Sequence, residues 1–213
     1  MDKKYSLEQT ISSLLENKRY SSVKDILVTL NAVDIAAIFG ELSEDALPLL
    51  FRLLPKELAA DAFVEMDADR QESLITRFSD TELKAVIDEL YIDDAVDLVE
   101  EMPANVVKRI LKQADPDTRK LINELLKYPD DCAGSIMTTE FVDLKQDMTI
   151  RQAIDRIRRI AVDKETINTC YVTDSARVLE GVVSLRDLIM AKDEERVRDI
   201  MEDNPIAVST DDL

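Results

Sequence analysis

From residue 7 onward, apolar residues recur at three- and four-residue intervals, the spacing of a helix that buries one stripe. A longer period lies over it. Leu15, Phe39, Phe63, Ile87 and Leu111 stand 24 residues apart, as do Leu14, Ile38, Ala62, Val86 and Ile110. Ile26, Leu50, Leu74, Leu98 and Ile122 keep the same period and mark a second helix in each unit. Ser21, Asp45, Asp69, Asp93 and Asp117 form a fourth column. These are read as N-caps of the second helices, because a Ser or Asp oxygen accepts an orphan N–H of the first turn. Five units of two short helices are therefore expected over roughly residues 7–127. A unit of that size cannot bury its apolar face alone, so neighbours must stack into a superhelix.

The helical pattern fades at Tyr128-Pro129-Asp130-Asp131, and Ala133-Gly134-Ser135 opens a different one. Phe141 to Leu144 reads as a strand, and Thr149 caps a helix with the stripe Ile150, Ala153, Ile154, Ile157 and Ile160. Thr169 to Thr173 and Val178 to Ser184 read as strands, and Leu185 to Ala191 as a helix. This alternation marks an α/β unit. Ile136-Met137 recurs 64 residues later as Ile200-Met201. Each pair precedes a β-rich segment, Phe141 to Leu144 or Pro205 to Val208, and then Asp147 or Asp211. The expected fold class is thus α + α/β: an all-α superhelical repeat over 1–128, an α/β unit over 129–198, and the start of a truncated second copy over 199–213. A piece of a longer protein is the expectation.

Charge narrows the chemistry. Against 27 Lys and Arg stand 45 Asp and Glu, a net −18, with no histidine. Nucleic-acid backbones and anionic membranes demand the opposite sign, so cations and basic proteins are the expected partners. Without histidine there is no Ser-His or Cys-His nucleophile, and an enzyme is not expected. Cys132 and Cys170 lack CxxC spacing and read as free thiols of a reducing cytosol. Met1-Asp2-Lys3-Lys4-Tyr5 leads into an amphipathic helix and not an apolar signal core. No charge-free run exceeds eight residues, far short of the roughly 20 apolar residues of a spanning helix. A soluble, cytosolic chain is expected.

The densest charge lies in Asp93-Asp94-Ala95-Val96-Asp97-Leu98-Val99-Glu100-Glu101-Met102. On a helix Asp93, Asp94, Asp97, Glu100 and Glu101 fall within an arc of about 120°. No basic residue lies between Lys84 and Lys108, an interval holding seven acids. Like charges three and four apart destabilise a helix, so the patch calls for a hard divalent cation or a basic partner surface. Asp93 stands in the cap column and has a purely structural reading. Asp97 has the repeat equivalents Leu49, Ser73 and Leu121, and Asp94 has Ala46, Arg70 and Thr118, so the scaffold asks for acid at neither. For Asp97 the alternative is a solvated polar face, and Glu100 and Glu101 read as solvated surface.

With these residues in hand, the chain resembles the cytosolic part of the MgtE family of magnesium channels. The resemblance rests on the helical repeat, on Asp93-Asp94-Ala95-Val96-Asp97-Leu98, on the junction Tyr128-Pro129-Asp130-Asp131-Cys132-Ala133-Gly134-Ser135-Ile136-Met137-Thr138, and on Gly181-Val182-Val183-Ser184-Leu185-Arg186-Asp187-Leu188. The repeat alone is also similar to the middle region of the flagellar rotor protein FliG. The resemblance implies a right-handed superhelical domain, a tandem CBS module that dimerises, and a membrane pore absent from this chain. It also implies Mg²⁺ shared between acids of the helical and CBS domains at the cytoplasmic face of the cell membrane. Asp93 and Asp97 match the family's paired acids, and Asp94 lies beside them.

CBS modules often bind adenine nucleotides through a Ser/Thr-x-x-Asp motif. Ser184 and Asp187 match it, with Arg186 placed for a phosphate; the alternative is a helix cap. The expectation is a Mg²⁺-sensing regulatory region. Its alternatives are a FliG-like scaffold for a basic partner and a CBS sensor of ATP or AMP.

Overall fold

The computed structural model describes residues 7–213, and Met1-Asp2-Lys3-Lys4-Tyr5 lies outside them. The described chain forms two units: one runs to Leu90 and resumes over Asp94–Leu126, and the other comprises Tyr91–Asp93 and Lys127–Leu213.

The repeat yields α1 (Leu7–Glu16), α2 (Tyr20–Leu27), α3 (Ala32–Glu41), α4 (Leu47–Leu53), α5 (Lys56–Val64), α6 (Ala68–Arg77), α7 (Asp80–Ile87), α8 (Ile92–Glu101), α9 (Ala104–Gln113) and α10 (Pro116–Leu125). The column from Leu15 to Leu111 falls on the odd-numbered helices, and that from Ile26 to Ile122 on the even-numbered ones. Packing follows the same division. α1 packs on α3, α3 on α5, α5 on α7 and α7 on α9, while α2 packs on α4 and α4 on α6. The apolar columns face each other through this stack, with Phe39, Phe63, Leu50, Leu74 and Ile122 buried.

The cap column is the reading that the structure corrects. Asp69 and Asp117 lie inside the first turns of α6 and α10, whose N-caps are Asp67 and Asp115. Asp67 accepts the N–H of Arg70, and Asp115 those of Asp117 and Thr118. Likewise Ser21 and Asp93 lie within α2 and α8, and Asp45 precedes the cap residue Ala46. Asp69, Asp93 and Asp117 therefore complement the positive end of the helix dipole from the first turn and do not cap it, whereas Asp45 lies before its helix. Helix C-termini are held by arginines. Arg70 donates to Gly40 O and Leu42 O at the end of α3, and Arg109 to Ile75 O and Phe78 O at the end of α6.

In the second unit β1 (Phe141–Leu144) pairs parallel with β2 (Thr166–Thr173), which pairs antiparallel with β3 (Leu179–Ser184). α11 (Ile150–Ile160) connects β1 to β2 through a single 3₁₀ turn, Ala161–Asp163, and α12 (Leu185–Met190) and α13 (Val197–Ile200) follow β3. Thr149 and Gln152 close a capping box at the start of α11. Cys170 stands between Val142 and Val183 in register. With Leu144, Ile150, Ala153, Ile157, Val172, Leu188 and Val197 they form the core. Strand β3 starts one residue later than expected because the Val178 N–H goes to the Asp174 carboxylate, which closes the preceding turn. Pro205 to Val208 is not a strand. No described strand lies beside it to take its N–H and C=O groups, and the pairing nearby is a single bridge between Val182 and Glu202. Both cysteines are buried and free, and burial pushes the Cys170 thiol up to about 11.

Candidate functional site

Helix α8 carries the acidic face. Its apolar positions, Ile92, Ala95, Val96, Leu98 and Val99, are buried; Asp93 and Asp94 are half-buried, and Asp97, Glu100 and Glu101 are exposed. The division of the helix into two faces is as its periodicity requires. The three candidate metal ligands are not drawn into one closed set. Asp93 belongs by its contacts to the second unit, Asp94 and Asp97 to the first. Among the described residues, no group of three or more Cys, Asp or Glu side chains is placed to hold a metal ion. Asp97 enters none of the ion pairs among the described residues. A hard cation that retains most of its water and takes one or two carboxylates is compatible with such an exposed acid; a dehydrated ion in an all-protein cage is not.

Glu140, which no sequence pattern singles out, has a defined role in the fold. Glu140 is half-buried, and its Oε2 accepts the N–H of Ile92 at 2.7 Å within the second unit. Ile92 opens α8, so a carboxylate 48 residues away in sequence satisfies a donor that a helix start leaves orphaned. Burial pushes the Glu140 carboxyl above its usual range; the Ile92 hydrogen bond opposes the rise and the charge of Asp93 adds to it. Thr138-Thr139-Glu140 carries no local pattern that announces this. The partner is remote, and only the fold supplies it.

Ser184 takes the capping role. It is the N-cap of α12, accepting the Asp187 N–H at 3.1 Å, while its hydroxyl donates to Asp187 Oδ2 at 2.6 Å. The two polar groups of the candidate ribose motif thus satisfy each other, beside an exposed Arg186.

The fold defines the class: a helical-repeat domain joined to a CBS unit. The family described as the MgtE intracellular N domain matches residues 30–131, and the CBS domain family matches residues 133–194. The magnesium transporter MgtE of Thermus thermophilus is 31% identical over 209 residues, 96% of this chain and 46% of its own length. The crystal structure of the cytosolic domain of the Mg²⁺ channel MgtE in complex with ATP superposes with a TM-score of 0.88 at 31% identity, covering 97% of this chain and 84% of that one. The soluble part of a magnesium transporter matches with a TM-score of 0.87 at 28% identity, covering 96% and 81%. The chain belongs to the MgtE family. It spans about half the length of the curated relatives it matches. Among the described residues, no helix is long and apolar enough to cross a membrane.

Proposed function

We propose that this chain is the Mg²⁺-sensing region of a magnesium channel or transporter, lying on the cytoplasmic side of the membrane. In the complete protein it is joined to a membrane pore and paired into a homodimer through its CBS module. The observation that carries this reading is Asp97: an exposed carboxylate on α8, outside every described ion pair, at a position where the repeat's own equivalents are Leu49, Ser73 and Leu121. The relatives that share this fold are magnesium transporters by name.

In the proposed mechanism Mg²⁺, when bound, supplies positive charge between acids. Asp93, Asp94 and Asp97 keep the first part of α8 negative and repel acids of the CBS module; neutralising both sides lets the module close and shut the pore. An exposed, partly hydrated site is weak, and weakness suits a sensor whose occupancy must change with cellular Mg²⁺. Each ion shifts the equilibrium only by its differential affinity for the closed arrangement.

The test is thermal unfolding of the chain at fixed ionic strength while KCl is replaced by MgCl₂. A rise in Tm at millimolar Mg²⁺ that Asp97→Asn diminishes supports the reading. An equal rise in both proteins, or one reproduced by KCl alone, refers the acidic face to general screening, as a scaffold for a basic partner would require.

Nucleotide sensing is the second reading, favoured by the ATP complex of the similar cytosolic domain and by the exposed Arg186 beside Ser184 and Asp187. ATP or AMP would replace the internal Ser184–Asp187 bond with bonds to ribose. Stabilisation by ATP without Mg²⁺, lost in Arg186→Ala, supports it; equal melting with and without nucleotide removes it.

A further inference from the structure

Asp94, Asp97 and Glu101 follow one another on α8 at intervals of three and four, a single stripe. All three line a cleft of about 310 Å³ that the first unit forms with the end of α5 and the first turn of α6. Asp67 adds a fourth acid, and Phe63, Leu90 and Leu98 give the cleft apolar walls. Asp67, Asp97 and Glu101 enter none of the ion pairs among the described residues.

Gln71 is the independent observation. It lines the same cleft, is only 6% exposed, and donates from Nε2 to Phe63 O at 2.9 Å. Its Oε1 is buried with no hydrogen-bond partner. Such an acceptor has lost its solvation with no hydrogen bond in its place. With Nε2 fixed on the Phe63 carbonyl, Oε1 is the amide atom without a partner in this wall of the cleft.

A ligand that satisfies these groups carries hydrogen-bond donors, positive charge and apolar length together. From Asp94 to Glu101 the helix rises about 10 Å, too far for one ion to meet both acids directly. We propose that this cleft binds a linear polyamine. Its ammonium groups meet the carboxylates and the Gln71 oxygen, and its methylenes lie against Phe63 and Leu98, as lysine stems cover apolar surface. The proposal shares Asp94 and Asp97 with the Mg²⁺ reading but stands on Gln71 and Glu101, which that reading does not use.

Calorimetric titration of the chain with spermidine at fixed ionic strength and without Mg²⁺ tests it, with butylamine and MgCl₂ in parallel and with Gln71→Met and Glu101→Gln as variants. The expected result is saturable one-site binding of spermidine, about tenfold weaker for Gln71→Met and for butylamine, and weaker by several-fold for Glu101→Gln. Glu101 is exposed, so its variant reads the site even where Gln71→Met loses stability. Unsaturable spermidine binding, butylamine binding as tight as spermidine, or an unchanged isotherm for Glu101→Gln overturns the proposal. So does a parallel loss of Mg²⁺ and spermidine affinity in both variants, which would mark one undifferentiated acidic patch.

Discussion

The Glu140 carboxylate accepts the N–H of Ile92, the residue that opens α8, at 2.7 Å. The bond lies within the second unit, to which both residues belong. Burial holds the Glu140 carboxyl above its usual range. A group whose pKa is raised by folding contributes stability that is complete below its unfolded value, about 4.3, and is lost as pH rises through the folded value. Glutamine can still accept the Ile92 N–H and has no charge to bury. Glu140→Gln is therefore expected to melt like the parent near pH 4 and above it near pH 7. Melting curves across that range check this, and a variant less stable at pH 7 than at pH 4, relative to the parent, contradicts it.

Two glycines are expected to respond in opposite directions to alanine. A Cβ on Gly134 would overlap the Tyr128 ring, whereas one on Gly40, within α3, meets nothing within 4 Å. Gly134→Ala should destabilise by about 1–3 kcal/mol as Tyr128 is displaced. Gly40→Ala should stabilise by about 0.5–1 kcal/mol by restricting the unfolded chain and favouring helix. Urea unfolding of the two variants checks both signs.

Arg109 is the clearest polar tie within the helical stack. Its guanidinium donates to Ile75 O and Phe78 O at the end of α6 and pairs with Asp80 at 3.1 Å. Arg109→Ala leaves two carbonyls of a helix end without their donor, at an expected cost of about 1–3 kcal/mol. Asp80→Ala removes an exposed partner only and should cost less than about 1 kcal/mol. Comparing the two in denaturant separates the carbonyl contacts from the ion pair.

The repeat was legible because burial enforces it: Phe39, Phe63, Leu50 and Leu74 recur every 24 residues since each faces the same neighbour in the stack. At α6 and α10 the caps stand two residues before the recurring acids, because acids occur both at the cap, as Asp67 and Asp115, and in the first turn, as Asp69 and Asp117. Composition favours both positions for different electrostatic reasons. Pro205 to Val208 has the residues of a strand, but pairing depends on a neighbouring strand, which local pattern does not encode. The acidic face of α8 follows from helical spacing, whereas the roles of Glu140 and Gln71 depend on Ile92 and Phe63, partners that only the folded chain reveals.

The most direct measurement is limited proteolysis of the junction over residues 128–135, with Mg²⁺ titrated at constant ionic strength, on the parent and on Asp97→Asn. If α8 senses Mg²⁺, millimolar Mg²⁺ protects the junction of the parent, and the variant loses that protection while melting within about 0.5 kcal/mol of the parent in stability. Cleavage at the same rate with and without Mg²⁺, or equal protection in the variant, would contradict a Mg²⁺-sensing role for Asp97.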